Sequence, residues 1–314
     1  MKQYILTITL NPAIDKTVSV PHFCPGRDFR ETALSISAGG KGINVSRVLK
    51  HLGTATIASG FLGGPNGAYI EAQLKREKIV QSFCRIKFNT RMSLTILDTH
   101  SRAITRILER GPMVSKSEIT AFKKNYSRLL RQALLVVLSG RSIPGASDSL
   151  YAELIEIAKR NAIPALLDTS GKPYARGLNT KPWMIKPNAK EVEAITGEKA
   201  TSLKNIQAAA LSFRKRGISL VAITMGSRGA LVYDGTEMLV ARPPSVDVKS
   251  PVGCGDAFNA GFLATFIRKQ PLSQCLRLAV ACGTANALSV NPGFITTATR
   301  KKIYSSITIE NLGF

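Results

Sequence analysis

Residues 251–261 form a glycine-rich stretch with the sequence Pro251-Val252-Gly253-Cys254-Gly255-Asp256-Ala257-Phe258-Asn259-Ala260-Gly261. A helical pattern begins within it, because Phe258, Phe262 and Phe266 recur on one stripe. Gly253 and Gly255 permit unusual backbone dihedrals and the close approach of a ligand. A glycine turn that leads into a helix presents free N–H groups and the positive end of the helix dipole. The stretch therefore predicts an anion site.

Asp256 adds a negative charge beside this predicted anion site. A carboxylate binds phosphate poorly, but it can take a proton from a hydroxyl group that attacks a phosphate. The alternative is that Asp256 only caps the helix, since aspartate is a favoured capping residue. The stretch alone leaves both interpretations open.

The overall composition is typical of a globular protein. The chain has 314 residues, enough for one large α/β domain or two smaller ones. Hydrophobic residues make up 44% of the chain, a share that can form a core. No apolar run approaches the length of a membrane span, and the strand-like N-terminus lacks the features of a signal peptide. We therefore expect a cytoplasmic protein with no membrane partner.

Cysteine and histidine usage argues against two kinds of site. The five cysteines form no CxxC pair, and an odd number argues against a full disulfide framework. The three histidines, His22, His51 and His100, are scattered along the chain, which argues against a His/Cys zinc site. A reducing compartment fits this pattern best.

The formal net charge of +23 raises the question of a nucleic-acid partner. Lysine and arginine are spread along the whole chain, aromatic residues make up only 6%, and no zinc-finger, RNP or basic-zipper pattern is present. The alternative is a basic surface that suits anionic small molecules. We expect no specific nucleic-acid recognition, while weak, salt-sensitive binding of polyanions stays open.

Strand-like and helix-like segments alternate regularly after residue 112. Repeated β–α units predict a largely parallel sheet that is covered by helices on both faces. Sites in such sheets lie beyond the carboxyl ends of the strands, and Asp168, Lys186 and Gly226 fall at such ends. The strand-like pieces at roughly 14–37 and 91–109 do not fit this alternation. We interpret them as a small separate sheet inserted into the domain.

Another glycine-rich turn occurs near the N-terminus, at Ala38-Gly39-Gly40-Lys41-Gly42-Ile43-Asn44. It is not a Walker A loop, because Gly-x-x-x-x-Gly-Lys-Ser/Thr occurs nowhere in the chain. It nevertheless combines backbone N–H groups, a helix start and a lysine, which are the parts of an anion site. The alternative is a plain turn with a solvated lysine.

Asn188 and Glu191 lie one helical turn apart and could hold a hydrated magnesium ion. The alternative is a capping box in which the two residues only begin a helix. Residues 224–229 lie between two apolar strands and could hold a nucleotide base or ribose, although a plain turn would look the same. Arg91 could bind a phosphate bidentately or could be a solvated arginine at a strand end.

Together these motifs resemble the PfkB family of ribokinase-like carbohydrate kinases, and the resemblance covers nearly the whole chain. Residues 251–261 are similar to the family's late signature, and residues 39–45 to its early one. Cys254 stands where the family usually has alanine or serine. Residues 9–15, 167–171 and 185–188 are similar to the branch that phosphorylates sugar phosphates. That branch contains 1-phosphofructokinase and tagatose-6-phosphate kinase.

The resemblance implies an α/β, ribokinase-like fold with a mostly parallel central sheet flanked by helices and a small β-sheet lid. It implies one kinase domain over residues 1–314, with the strands at 14–37 and 91–109 forming the lid. ATP and Mg²⁺ are the implied cofactors, and a sugar phosphate is the implied small-molecule partner. Because lid strands with exposed edges commonly pair, a homodimer through the lid is expected.

The resemblance also implies roles for individual residues. Asp256 would be the catalytic base, with an anion hole at Gly253, Cys254 and Gly255. Glu191 would hold Mg²⁺ through water. The implied substrate contacts are Asp15, Gly39, Gly40, Lys41, Asn44, Arg91, Ser93 and Ser139. The implied nucleotide contacts are Lys186, Asn188, Thr224, Gly226, Ser227, Gly229 and Asn286.

The implied reaction is transfer of the γ-phosphoryl group of ATP to a phosphorylated ketohexose, with fructose 1-phosphate as first choice and fructose 1,6-bisphosphate as product. A tagatose-6-phosphate kinase and a 6-phosphofructokinase are the alternatives within the family. A sugar-phosphate sensor and a polyanion-binding protein are the alternatives that are not enzymes. Two departures from the branch bear on sugar preference: Arg141 is an extra arginine after Ser139-Gly140, and Ser93 stands where asparagine is frequent.

Overall fold

The central strands are apolar on both faces, which determines the architecture. In the first strand the neighbouring residues Ile5 and Leu6 are both fully buried, yet they belong to two different cores on opposite sides of the sheet. Leu135 and Val136 are divided between the same two cores. Such strands need helices on both faces, as in parallel α/β sheets. The protein is described by a computed structural model over residues 3–313.

In chain order, the strands are β1 (Tyr4–Thr9), β2 (Ala13–Val20), β3 (Ala33–Gly39), β4 (Thr56–Gly63), β5 (Val80–Gln81), β6 (Cys84–Ile86), β7 (Arg91–Asp98), β8 (Ile104–Leu108), β9 (Ala133–Ser139), β10 (Ala165–Asp168), β11 (Met184–Ile185), β12 (Leu220–Thr224), β13 (Ala230–Tyr233), β14 (Met238–Arg242) and β15 (Thr308–Asn311).

The helices, again in chain order, are α1 (Lys41–His51), α2 (Gly64–Arg76), α3 (Lys116–Leu130), α4 (Leu150–Arg160), α5 (Gly171–Asn179), α6 (Ala189–Thr196), α7 (Leu203–Lys215), α8 (Cys254–Phe266), α9 (Leu272–Ala287) and α10 (Thr297–Ser305).

Most of the strands form one large sheet in the order β15-β14-β13-β12-β11-β10-β9-β1-β4-β5, with β6 paired to β4. The parallel pairs are β12–β11, β11–β10, β10–β9, β9–β1, β1–β4, β4–β5 and β4–β6. The pairs β12–β13, β13–β14 and β14–β15 are antiparallel. The carboxyl ends of the parallel strands therefore meet along one edge, which is where a site is expected.

A second sheet has the order β3-β2-β7-β8. Its strands come from the two segments that do not fit the β–α alternation, so the predicted lid and the α/β fold class are confirmed. The lid connects to the α/β core through β3, which leads through Gly40 into α1, a helix packed on the large sheet. Within the lid, β2 and β7 run parallel, and their register places Asp15 opposite Ser93.

Helices α8 and α9 pack on one face of the large sheet and are rich in small residues. Gly261 permits this packing, because a Cβ atom there would lie 2.6 Å from the Leu278 carbonyl oxygen. At the far end of α8, the ring of Phe266 packs on Trp183, with ring centroids 4.7 Å apart. The helix that begins at the second glycine turn (residues 251–255) is thus anchored along its whole length.

Several elements were not expected from the sequence. Helix α5 begins at Gly-Lys-Pro, which looks like a loop, but proline is tolerated in the first turn of a helix because no N–H is needed there. Strand β15 is mostly exposed and has no clear apolar alternation, and it forms by antiparallel pairing with β14. Over residues 3–313, none of the helices combines the length and apolar character that a membrane crossing requires.

Candidate active site

A cavity of about 920 Å³ lies beyond the carboxyl ends of the parallel strands, with lid residues on one side. Most of the predicted site residues line it, although they come from widely separated positions in the sequence. Those lining the cavity are Asp15, Gly40, Lys41, Asn44, Arg91, Ser93, Lys186, Asn188, Glu191, Thr224, Gly226, Ser227, Gly229, Gly253, Cys254, Gly255 and Asp256.

Three predicted residues are not on the cavity wall. Gly39 is the last residue of β3, and a Cβ atom there would overlap the Asp15 carboxylate. Ser139 ends β9 and is fully buried behind Gly140. Asn286 is also fully buried; it donates to the Val252 carbonyl at 2.8 Å and accepts from the Gly293 N–H at 2.7 Å. Gly39 and Asn286 therefore shape the residues that line the cavity.

The second glycine turn leads α8 into the cavity wall. Gly253 is the N-cap with φ of 84°, and a Cβ atom there would lie 2.8 Å from Pro292 Cβ. The N–H groups of Gly255 and Asp256 have no hydrogen-bond acceptor among the described residues. Open amides at a helix N-terminus form an anion site, so the predicted geometry of this turn is present.

Asp256 is the third residue of α8 and does not cap it, so the capping alternative is wrong. Its side chain is 5% exposed and accepts a hydrogen bond from Asn44 Nδ2 at 2.8 Å. Burial raises the pKa of Asp256 to about 7, with Asp168 adding to the rise and the Lys41 ammonium opposing it. A carboxyl that titrates near neutral pH is suited to accept a proton.

Asp168 forms a buried charge cluster next to Asp256. Its carboxylate bonds to the ammonium groups of Lys41 at 2.8 Å and Lys186 at 3.2 Å, and to Asn259 Nδ2 at 2.7 Å. Burial opposes ionisation, but the two ammonium groups lower the pKa of Asp168 to about 2. The pKa of Lys41 is raised, because the attraction of the Asp168 and Asp256 carboxylates outweighs the effect of burial. Lys41 is therefore ion-paired, with 39% of its side chain still exposed to solvent.

Asp168 and Asn259 were not among the predicted site residues, although the sequence carried a signal for both. Asp168 stands at the carboxyl end of a predicted parallel strand. Asn259 follows Asp256 by three residues on a helix, so both side chains lie on one face. The hydrogen bond between Asn259 and Asp168 joins residues that are 91 positions apart, so local spacing could not predict it.

The first glycine turn (residues 38–42) packs against the end of β1. A Cβ atom at Gly40 would lie 2.5 Å from Thr9 Cγ2, and one at Gly42 would lie 2.5 Å from Thr9 Oγ1. Thr9 Oγ1 also accepts the Ile43 N–H at 3.1 Å, which satisfies one free amide of α1. These contacts fix the position of Lys41 at the start of the helix.

Arg91 lies at the lid end of the cavity and is held by neighbouring groups, so the solvated alternative is wrong. It donates to the Asn11 carbonyl at 3.1 and 3.2 Å and to Ser93 Oγ at 2.9 Å. Burial raises the pKa of nearby Asp15 to about 6, while the charge of Arg91 opposes the rise. Arg106 and Arg141 line the same cavity, so three guanidinium groups gather here.

The opposite wall contains the predicted nucleotide turn. Gly226 and Gly229 both have positive φ, and the backbone of Thr224 forms a bridge to Asn188. Asn188 and Glu191 form the capping box: Asn188 Oδ1 accepts from the Glu191 N–H at 3.0 Å, and Glu191 Oε2 accepts from the Asn188 N–H at 2.8 Å. The capping alternative is confirmed as a local structure, and both residues also line the cavity.

The family described as "pfkB family carbohydrate kinase" matches residues 8–298. The chain belongs to this family.

Two pfkB family relatives are similar over almost their whole length. The tagatose-6-phosphate kinase of Staphylococcus epidermidis is 35% identical over 308 residues, covering 97% of this chain and 99% of the relative. The 1-phosphofructokinase of Xanthomonas campestris is 36% identical over 286 residues, covering 90% of each. The chain is therefore a carbohydrate kinase of the group to which these sugar-phosphate kinases belong.

Among solved structures, Escherichia coli phosphofructokinase-2 in complex with potassium is 27% identical, with a TM-score of 0.91 over 97% of this chain and 99% of that one. The same relative has been solved with fructose-6-phosphate and as a tetrameric inhibited form. The similarity confirms the predicted ribokinase-like fold of this pfkB family member.

Proposed function

We propose that the chain transfers the γ-phosphoryl group of ATP to a hydroxyl of a phosphorylated ketohexose, with fructose 1-phosphate as substrate and fructose 1,6-bisphosphate as product. The observation that carries the proposal is the buried Asp256 carboxyl on the cavity wall, directly beside the open amides of the second glycine turn. The names of the two relatives support a substrate that is already phosphorylated.

The cationic lid end of the cavity suits the phosphate that the sugar already carries. Arg91 and Arg106 come from the lid, and Arg141 follows β9. A dianionic phosphate binds such guanidinium groups through paired hydrogen bonds. Asp15 lies beside Arg91 and is placed to accept hydrogen bonds from sugar hydroxyls. Asn44 and Lys41 line the same cavity and would also contact the sugar phosphate, with Lys41 and Arg91 near its phosphate group.

The reaction itself needs little covalent chemistry from the protein. Asp256 accepts the proton of the attacking hydroxyl, and the N–H groups of Gly255 and Asp256 stabilise charge on the phosphoryl group. Lys186 adds a positive charge there, since a Cβ atom at Gly255 would lie 3.1 Å from Lys186 Nζ. Most of the rate enhancement then comes from positioning and electrostatics, as in other phosphoryl transfers.

The donor set fits Mg²⁺ bound together with nucleotide phosphates. No cluster of three or more His, Cys, Asp or Glu side chains within residues 3–313 could hold a metal ion. Mg²⁺ keeps several waters and needs only one or two carboxylates beside substrate phosphates. The Glu191 carboxylate can provide one, with Asn188 lining the cavity beside it. When bound, the ion neutralises charge on the phosphates of ATP.

The lid is the proposed dimer interface. Its edge strands β3 and β8 leave apolar side chains exposed, namely Leu34 at 46%, Ile36 at 43% and Ile107 at 58%. Burying such side chains against a second copy would remove them from water. Size-exclusion chromatography with light scattering should give twice the chain mass, and Ile36→Glu should give the monomer. The single domain over residues 1–314, the cytoplasmic location and the lack of a specific nucleic-acid partner stay predictions.

The test of the proposed function is a coupled ADP-release assay with ATP, Mg²⁺ and a panel of sugars and sugar phosphates. Fructose 1-phosphate should be the best substrate, and fructose, which lacks the phosphate, should be poor. The best turnover with tagatose 6-phosphate or fructose 6-phosphate would favour the alternatives within the family. Sugar-phosphate binding without ADP release would contradict an enzyme and favour a sensor.

A further inference from the structure

Arg47 is a buried charge that the mechanism above does not use. It lies in α1, one helical turn after Asn44, and only 7% of its side chain is exposed. Charged side chains are seldom buried without matching partners. The ring of Phe294 covers one face of the guanidinium group, with Cζ 4.6 Å from the ring centroid.

Every N–H of this guanidinium group has an acceptor. Nε and Nη2 donate to the two carboxylate oxygens of Glu77 at 2.7 and 3.2 Å. Nη2 also donates to the Ala38 carbonyl at 2.9 Å. Nη1 donates to the Pro292 carbonyl at 3.2 Å and to Asn44 Oδ1 at 3.1 Å. An arginine has five N–H donors, so none is left over.

The contact with Asn44 determines which way its amide faces. A guanidinium group can only donate, so Arg47 requires the amide oxygen. The amide nitrogen is thereby turned toward Asp256 Oδ2, 2.8 Å away. Reversing the amide would place NH₂ against the guanidinium group and oxygen against the carboxylate. Arg47 therefore keeps a hydrogen-bond donor on Asp256.

We propose that Arg47 is a positioning residue for phosphoryl transfer, which acts through Asn44 to hold an N–H donor on the carboxylate that receives the substrate proton. The inference rests on the proposed function of Asp256. The same guanidinium group binds carbonyls on two segments that border the site. Ala38 is the first residue of the first glycine turn, and Pro292 packs against Gly253 of the second.

The position of this donor also contributes to the pKa of Asp256, after burial, Lys41 and Asp168. A hydrogen bond to the ionised form favours that form, so losing the oriented Asn44 amide should raise the pKa of Asp256. The Asn44 bond is the contribution that Arg47 controls. The groups that face Asp256 are Lys41 and Asn44 from α1, Asp168 from β10, Lys186 after β11, and the neighbouring Cys254 thiol.

The principal test is Arg47→Lys, which keeps the charge but loses the planar set of five donors. We expect kcat to fall by about tenfold or more, as for a lost hydrogen bond to a charged group. The sugar-phosphate KM should change less than kcat. The acidic limb of kcat/KM should move up by about 0.5 pH.

Arg214→Lys is the matched control. Arg214 in α7 also donates to backbone carbonyls, those of Asp234 at 3.1 Å and Ile218 at 3.0 Å, and it does not line the cavity. Its replacement should lower stability and leave the acidic limb in place. If Arg47→Lys keeps the wild-type limb and loses no more kcat than Arg214→Lys, Arg47 is merely structural and the proposal fails.

Two further measurements cover the remaining outcomes. Phe294→Leu keeps every charge and removes the ring that covers the Arg47 guanidinium group. Because Phe294 is 38% exposed, this variant should fold. We expect kcat to fall about threefold and the limb to move upward; an unchanged kcat and limb would overturn the proposal. Carbon-13 NMR titration of the Asp256 carboxyl, assigned with Asp256→Asn, should show a higher pKa in Arg47→Lys even if the wild-type chain phosphorylates no sugar phosphate.

Discussion

Two helices present their N-termini to the cavity, and they begin alike but carry different chemistry. Both α1 and α8 follow a glycine with positive φ, Gly40 at 121° and Gly253 at 84°, and neither has a side-chain cap among residues 3–313. In α1 the Ile43 N–H is taken by Thr9, the N–H groups of residues 41 and 42 find no acceptor within the described chain, and the turn contributes a lysine. In α8 the N–H groups of residues 255 and 256 find no acceptor within the described chain, and the turn contributes a carboxyl.

The same backbone feature, a helix N-terminus that follows a glycine turn, can therefore serve two purposes. A helix start with open amides and a cation is suited to hold an anionic group that does not react. A helix start with open amides and a carboxyl that titrates near pH 7 is suited to the group that is transferred and to the proton that leaves. Changing each turn separately should therefore affect different steps.

The largest effect is expected at the second turn. Asp256→Asn keeps the shape and removes the proton acceptor, so kcat should fall by about 10³-fold. ATP should still bind, as measured by isothermal titration calorimetry. Turnover within a few-fold of the wild type would contradict the assignment of Asp256 as the base.

At the first turn, Lys41→Ala should act on substrate binding. Loss of the ammonium group should raise the sugar-phosphate KM by about 30-fold, as for a charge-assisted hydrogen bond, and the ATP KM much less. Lys50→Ala is the control, since Lys50 lies exposed in the last turn of the same helix. Equal increases in both KM values would show that the two turns are not divided in this way.

The pH dependence should report the ionisation of Asp256 in the second turn. Burial raises the pKa of Asp256 to about 7, and the base must be ionised to accept a proton. The value of kcat/KM should therefore rise with pH, by about tenfold from pH 6 to pH 8. The limb should persist in Lys50→Ala; a flat profile over this range would mean that another group accepts the proton.

The smallest effect is expected from adding a Cβ atom at Gly253 of the second turn. Comparing this variant with Gly53→Ala distinguishes steric crowding from backbone strain. Gly253→Ala adds a Cβ atom 2.8 Å from Pro292 to a residue with φ of 84°. Gly53→Ala adds a Cβ atom with nothing within 4 Å at φ of 70°. Both should lose about 1–2 kcal/mol of unfolding free energy from strain, measured by urea denaturation. Only Gly253→Ala should lose more than this and also lower kcat severalfold.

The sequence predicts the parts of this molecule that depend on local pattern. The second glycine turn, the helix after it and the lid strands all follow from spacing and turn residues. Helix α5 and strand β15 do not, because one begins with loop-forming residues and the other forms only by pairing with β14.

The candidate site shows the same limit. Asp256 and Lys41 could be selected because each follows a glycine turn. Their contacts with Asn44 and Asp168 span 212 and 127 residues, and no local pattern carries that information. Arg47 looks in the sequence like an ordinary helix arginine, and only its five acceptors in the folded chain show that it is not.

Trp183, which packs on Phe266, is an intrinsic fluorescence probe for this protein. The chain contains a single tryptophan, so its tryptophan emission comes from one known place. That place is the far end of the helix whose first turn carries Asp256. A change in tryptophan emission when nucleotide or sugar phosphate is added would then report movement of α8 without any attached dye.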